Sequence, residues 1–342
     1  MKAEHSLFTH DAPFALESGH TLPYLKLAYH TWGAPNADWT NVVWVCHALT
    51  ANADAKDWWP GMVGPGCTYD PKDFFIICVN ILGSCYGSMG PLEKDPATGQ
   101  PFYGRFPTVT VRDMVAAHDL LRRYLSVDRI HTLIGGSLGG QQALEWAVQQ
   151  PQLVQHLVVL ATNARHSAWG IAYNTAQRMA LEADPTFAED SGDAGAAGLA
   201  AARAIAMLSY RSYAAYNHTQ TDEDDSKLAD YRVEGYQRYQ GEKLRKRFSA
   251  HSYRILSLAM DSHHLGRGRG PLPQVLGSIR ARTLAIGISS DGLFPPEEQR
   301  FIAQHVPNGQ YVEIDSIFGH DGFLVEAAKI RQAIKAFYAQ SH

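Results

Sequence analysis

The stretch LIGGSLGGQQALEW, Leu133 to Trp146, constrains this chain more than any other part of it. Two glycines sit on each side of Ser137, an apolar run precedes them, and an amphipathic run follows. A short apolar run that ends in glycine and leads into a run of helical composition reads as strand, tight turn, helix. Glycine is needed beside such a turn, because Cβ atoms at the neighbouring positions would clash. A serine at the apex carries its hydroxyl at the strand end, beside the free N–H groups and the positive dipole end of the helix. G-x-S-x-G is a weak pattern on its own, and a glycine loop serving only close helix–strand packing is the competing reading.

The rest of the chain supplies a matching scaffold. The segments Asn41–Ala48, Asp73–Ile81, His131–Gly136, Leu157–Thr162 and Thr283–Ile288 read as buried strands, and the alternating Gln310–Ser316 as one nearer an edge. Thr110–Leu125, the run after Ser137 up to Pro151, PPEEQRFIAQHV and AAKIRQAIKAFYAQ read as helices between and after them. Alternation of this kind predicts an α/β architecture, a mostly parallel sheet covered by helices on both faces. Between Asn163 and Gly277 the strand signals stop. GLAAARAIAMLSYRSY, RVEGYQRYQGEKLRKRF and SYRILSLAMDS are helical in composition and period, and the glycine-rich EDSGDAGAAG and LGRGRGPLP carry linker signals. The expected organisation is a core of residues 1–162 and 278–342, with residues 163–277 inserted as a helical lid over the carboxyl ends of the strands. The acidic TDEDDSK reads as a solvated loop. The basic EKLRKRF reads as a solvated helix face, with contact to an anionic cofactor as the alternative.

Composition narrows the function classes. In 342 residues, 45% are hydrophobic and 19% charged, and the net charge of -4 gives no overall basic bias toward nucleic acid. The N-terminus has no apolar signal-peptide core, and no run of about 18 apolar residues reads as a membrane span. Cys46, Cys67, Cys78 and Cys85 form no C-x-x-C pair, and Cys46 and Cys78 read as buried thiols, so a reducing cytoplasm is the expected setting. Neither H-E-x-x-H nor a cysteine cluster is present, so no metal is expected, and GRGRG lacks the strand–helix context of a dinucleotide fingerprint.

A serine hydroxyl becomes a useful nucleophile only when a base takes its proton, and the base works best when a carboxylate orients it. In a sheet of this kind the chain order is serine, acid, histidine. Asp291 follows the strand TLAIGISS, and His320 follows QYVEIDSIFG, both just past strand ends where an open parallel sheet gathers its site. Asp291 as a cap before FPPEEQ, and His320 as a loop histidine, are the plainer readings. Acyl transfer also needs donors for an oxyanion. The candidates are the backbone N–H of Leu138, after the serine, and that of Leu49, in the loop CHALTAN after an early strand. His47 in that loop reads as a structural hydrogen-bonder, because it precedes the serine.

Taken together, LESGHTLP, CHALTAN, WWPGMVGPG, FFIICVNILGSCYGSMGP, DPATGQPFYGRFPTVTVRDMV, GGSLGGQQALEWA, LSYRS, RYQGEKLRKRF, AMDSH, SSDGLFPP and FGHDGFL resemble, in order and from Leu16 to Leu324, the homoserine O-acetyltransferases of the α/β-hydrolase superfamily. The resemblance implies the α/β-hydrolase fold with a helical lid and a triad of Ser137, Asp291 and His320. It also implies substrate contacts at Arg203 and Tyr210, with Asp321 on the substrate ammonium. Arg203 and Tyr210 are about two helical turns apart and share one helix face, and an arginine in the alanine-rich AAARAIAM would suit a carboxylate. Pairing of Arg203 with Asp193, and Asp321 as a helix cap, are the alternatives. The implied reaction passes an acetyl group from acetyl-CoA, through Ser137, to the hydroxyl of L-homoserine for methionine biosynthesis. It implies no bound cofactor and a homodimer joined through the lid. Succinyl-CoA as donor, L-serine as acceptor, and an esterase on the same fold are the neighbouring activities. The chain departs from the family's commoner residues at Ala51, Asn52, Met89 and Gln141, which the motifs place near the pocket.

Overall fold

The computed structural model describes residues 4–340. Eight strands form one sheet: β1 (Glu4–His10), β2 (Leu25–Trp32), β3 (Val42–Cys46), β4 (Phe75–Val79), β5 (Ile130–Gly136), β6 (Val154–Leu160), β7 (Arg282–Ile288) and β8 (Gly309–Ile314). Their spatial order is β1-β2-β4-β3-β5-β6-β7-β8. β2 runs antiparallel to both its neighbours, and every pair from β4 to β8 is parallel. The helices of two or more turns are α1 (Val111–Tyr124), α2 (Leu138–Gln149), α3 (Ala168–Glu182), α4 (Ala196–Tyr210), α5 (Tyr213–Gln220), α6 (Arg232–Arg245), α7 (Ala250–Asp261), α8 (Pro296–His305) and α9 (Ala327–Ala339).

β3 and β4 are apolar throughout because both faces are covered. On β3, Val42, Trp44 and Cys46 pack toward Met114 and Leu121 of α1 and Trp146 of α2, while Val43 and Val45 share the opposite cluster with Ile330, Ile334 and Phe337 of α9. A capping box starts α1: Thr110 Oγ1 accepts from the Asp113 N–H, and the Asp113 carboxylate accepts from the Thr110 N–H at 2.8 Å. Such a cap is worth about 1 kcal/mol. Cys46 and Cys78 are buried free thiols, and burial pushes both thiols up in pKa. Gln310–Ser316 contains the edge strand β8, as its alternation suggested.

Among the elements named above, strands β1 and β2 and helices α3 and α5 went unread in the sequence. β1 and β2 mix polar residues into short runs at the antiparallel end of the sheet. α3 buries Gly170, Asn174, Gln177 and Leu181 and exposes Trp169 and Met179, so its apolar residues mark the wrong face. Its buried polar side chains are satisfied across the interface: Asn174 donates to Asp261 at 2.7 Å, and Gln177 accepts from the Tyr253 hydroxyl at 2.6 Å. Between β6 and β7 the chain otherwise forms helices, tied at its base by one bridge between Arg165 and His264.

The order of strands reverses at β3, whose neighbours are β4 and β5. Loops leaving the carboxyl ends of strands beside such a reversal diverge and leave a crevice between them. The loop after β3 carries Leu49, and the turn after β5 carries Ser137; Cys46 and Gly135 are paired across the two strands.

Candidate active site

Ser137 sits between β5 and α2 with φ 56° and ψ -128°. For a residue with a side chain, this conformation costs about 1–3 kcal/mol and persists only where the surroundings enforce it. They do so here. The Ser137 N–H donates to Leu160 O at 3.0 Å, and its carbonyl accepts from the Gln141 N–H at 3.1 Å and the Thr162 hydroxyl at 2.8 Å. The flanking glycines are needed for close approach. A Cβ on Gly135 would lie 2.3 Å from Gly139 O, and one on Gly139 would lie 2.1 Å from Cys46 O. The second contact holds the loop after β3 against the start of α2.

That contact packs the loop carrying Leu49 against the helix start that carries Leu138. Leu138 is the first residue of α2, so its N–H has no partner within the helix. Leu49 lies inside the turn closed by the Ala51 N–H on Ala48 O at 3.1 Å. His47 anchors the same loop: Nδ1 contacts Ala48 O at 2.8 Å, and Nε2 accepts from the Ile81 N–H at 3.1 Å. Accepting at Nε2 puts the proton on Nδ1. Burial lowers the His47 pKa to about 4, so it is neutral with both nitrogens engaged, the structural role expected of it.

Asp291 and His320 meet at the far side of the crevice. Asp291 Oδ2 lies 2.7 Å from His320 Nδ1, and both side chains are buried. The other carboxylate oxygen accepts from the N–H groups of Leu293, at 2.8 Å, and Phe294, at 2.9 Å. Asp291 therefore caps the turn before α8 and orients the histidine at once. The His320 ring is wedged against Phe294 and Phe323, with centroids 5.1 and 5.2 Å away, and faces Tyr210 at 5.8 Å. The two loops are stitched together: Ser290 Oγ donates to Ser316 O at 2.5 Å and accepts from the Gly319 N–H at 2.9 Å. Gly319 has φ 66°, which lets the chain turn just before the histidine.

A cavity of about 460 Å³ opens over these groups, lined by Leu49, Ser137 and His320 below and by Arg203, Tyr210, Lys243 and Arg247 of the helical segment above. Arg203 and Tyr210 do share a face of α4: the guanidinium carbon stands 5.2 Å from the tyrosine ring centre. Arg203 pairs with no carboxylate among the described residues, Asp193 included, and its buried Nε has no hydrogen-bond partner. Asp321 lines the cavity but makes no capping hydrogen bond; its carboxylate accepts from Arg211 Nε at 2.7 Å. Arg211 escaped the sequence reading, because nothing local links it to Asp321, 110 residues away. Lys243 and Arg247 also belong to the cavity wall, and the basic run EKLRKRF was their signal.

Of the four departures from the family's commoner residues, Ala51 and Asn52 line the cavity. Met89 and Gln141 do not, against what the motifs suggested. Met89 is buried in the core, and the Gln141 amide donates to Asn163 at 2.9 Å.

The arrangement can activate a hydroxyl, hold a tetrahedral oxyanion and present a cation to a second molecule's anion. Residues 41–327 match the family described as alpha/beta hydrolase fold. A homoserine O-acetyltransferase of Cyclobacterium marinum is 46% identical over 96% of this chain and 93% of its own length. The chain belongs to the homoserine O-acetyltransferase family. Among solved structures, the homoserine O-acetyltransferase of Staphylococcus aureus superposes with a TM-score of 0.83 at 28% identity, covering 100% of this chain and 97% of its own. Esterase E22 superposes with a TM-score of 0.88 at 23% identity over 98% of this chain and 100% of its own, so the family shares its fold with an esterase. Among the described residues no group of three or more His, Cys, Asp or Glu side chains could hold a metal ion, and no helix is long and apolar enough to cross a membrane.

Proposed function

We propose that this protein transfers an acetyl group from acetyl-CoA to the side-chain hydroxyl of L-homoserine, with Ser137 carrying the group between them. The observation that carries the reading is Arg203, a guanidinium without a carboxylate partner in the same cavity as Ser137 and His320. A hydrolase acting on neutral esters has no use for such a charge. An amino-acid acceptor brings the carboxylate that completes it.

In this reading Asp291 keeps the His320 proton on Nδ1, which leaves Nε2 free as the base. His320 takes the proton of Ser137 Oγ as the oxygen attacks the thioester carbonyl. The N–H groups of Leu49 and Leu138 hold the oxyanion. The C–S bond breaks, and the departing thiolate takes the proton from His320. L-homoserine then enters with its carboxylate on Arg203 and Tyr210 and its ammonium toward Asp321. His320 deprotonates the acceptor hydroxyl, whose oxygen attacks the acyl carbon; the bond from that carbon to Ser137 Oγ breaks, and Oγ takes the proton back from His320. Residues 163–277 act as a lid that keeps water from the acyl-enzyme. The exposed Leu208, Tyr213, Leu228 and Tyr239 on that segment support a homodimer joined through it. O-acetyl-L-homoserine suits a cytoplasmic route to methionine.

Steady-state rates with acetyl-CoA or succinyl-CoA, each with L-homoserine or L-serine, test the assignment. The expected result is fastest turnover for acetyl-CoA with L-homoserine, with parallel double-reciprocal lines. Hydrolysis of acetyl-CoA without acceptor as fast as transfer would replace the reading with an esterase, and a preference for succinyl-CoA would overturn the donor.

A further inference from the structure

The outer part of the cavity carries charge that the chemistry at Ser137 does not use. Ser137 and His320 are buried, whereas Lys243, Arg247 and Asp57 in the same wall are exposed and so mark its open end. The cations around Lys243 have acidic partners within α6 and its C-terminal end: Arg238 pairs with Glu234, and Arg245 and Lys246 share Glu242. Lys243 makes no ion pair among the described residues. Arg247 is held by neutral acceptors only, donating to Thr50 O at 2.7 Å and the Tyr86 hydroxyl at 2.6 Å. Among the lining carboxylates, Asp321 is already engaged by Arg211, which leaves Asp57 alone against Arg203, Lys243 and Arg247. A cavity with a buried nucleophile and an unneutralised cationic rim suits a long donor whose reactive end is neutral and whose far end is anionic. A coenzyme A thioester has that shape, with its phosphates a pantetheine arm away from the thioester.

We propose that Lys243 and Arg247 form a phosphate-binding rim for the nucleotide end of the acyl-CoA donor. The proposal rests on the transfer reading above and adds where the donor's charge is held. Arg247 does a second job: its bond to Thr50 ties the rim to the loop that carries Leu49, so a phosphate seated there also steadies an oxyanion donor.

The test compares acetyl-CoA, 3′-dephospho-acetyl-CoA and S-acetylpantetheine as donors to L-homoserine, in the wild-type protein and in Lys243→Ala, Lys243→Glu and Arg247→Ala. The readout is the ratio of kcat/KM for acetyl-CoA to that for S-acetylpantetheine. A drop in this ratio of about tenfold is expected for Lys243→Ala, and a larger one for Lys243→Glu. Arg247→Ala is expected to slow both donors through the Thr50 contact and to lower the ratio as well. Added salt is expected to raise KM for acetyl-CoA and leave that for S-acetylpantetheine flat. The dephospho donor shows which phosphate is held: wild-type rates close to those with acetyl-CoA place the diphosphate on the rim. A ratio unchanged by both Lys243 variants overturns the rim. Wild-type protein that uses S-acetylpantetheine as well as acetyl-CoA overturns it while leaving the transfer reading intact, and wild-type protein that uses neither overturns both.

Discussion

Replacing Asp291 by asparagine separates what this residue does for the fold from what it does for His320. The side chain has two duties on opposite oxygens: one accepts two N–H groups, from Leu293 and Phe294, and the other accepts one, from His320 Nδ1. An asparagine can satisfy only one side with its carbonyl. Turning the NH₂ toward Leu293 and Phe294 would set donors against two buried donors, at a cost of about 1–3 kcal/mol for each. The carbonyl therefore stays on the turn, and the NH₂ faces Nδ1. His320 then accepts at Nδ1 and carries its proton on Nε2, the atom needed as a base. The expected loss in kcat is about 10⁴-fold, near 5.5 kcal/mol of transition-state stabilisation. Because the turn bonds survive, the melting temperature should stay close to that of the wild type. Asp291→Ala, which gives up the turn bonds too, should lose stability by about 2 kcal/mol beyond the asparagine variant. Initial-rate measurements and thermal melts on the purified variants read both effects. An Asp291→Asn protein that keeps more than a tenth of wild-type kcat would refute the assignment of Asp291 as the orienting acid. A large drop in its melting temperature would refute the orientation worked out for the amide.

Arg203→Lys keeps the charge but removes the planar fork over Tyr210, so KM for L-homoserine should rise about tenfold to hundredfold while kcat falls much less. An equal rise in KM for acetyl-CoA and L-homoserine would show that the residue does not select the acceptor. Acid should destabilise the fold, because burial lowers His47, His131 and His166 to about 4 and His118 and His263 to about 3. A histidine lowered on folding contributes stability above its ordinary pKa of 6.5, and that stability is lost as the pH falls toward the folded value. For His118, packed against both Trp44 and Trp146 with neither ring nitrogen bonded, the loss at pH 5 is about 2 kcal/mol. His118→Leu should therefore shrink the difference in unfolding free energy between pH 7.5 and pH 5 by that amount; an unchanged difference in chemical denaturation would contradict the burial argument.

Readability from the sequence followed the range of each cause. The elbow could be read because its causes are local: glycines within three residues of Ser137, an apolar run before and a helical run after. Asp291 and His320 could be read because each follows a recognisable strand in the order this sheet requires. What stayed hidden depends on partners far away in the chain. α3 looked like no helix of a core, since its buried face is Asn174 and Gln177, polar residues whose acceptor and donor lie on α7. Asp321 carried no sign that Arg211 would take its carboxylate, and the free charges of Lys243 and Arg247 stand out only once their neighbours' ion pairs are seen.

The contacts around Arg211 have a mechanical meaning. Arg211 ends α4, its guanidinium holds Asp321, Ser212 Oγ donates to Ile317 O, and a Cβ on Gly319 would lie 2.7 Å from Ser212 N. The helical segment is thus pinned at the loop that carries His320. It cannot lift there without pulling the base out of line with its acid. On the side of α6 the segment is tied a second time, where Arg247 donates to Thr50 O and the Tyr86 hydroxyl. For the transfer proposed above, these two ties would keep His320 in register with Asp291 through both half-reactions.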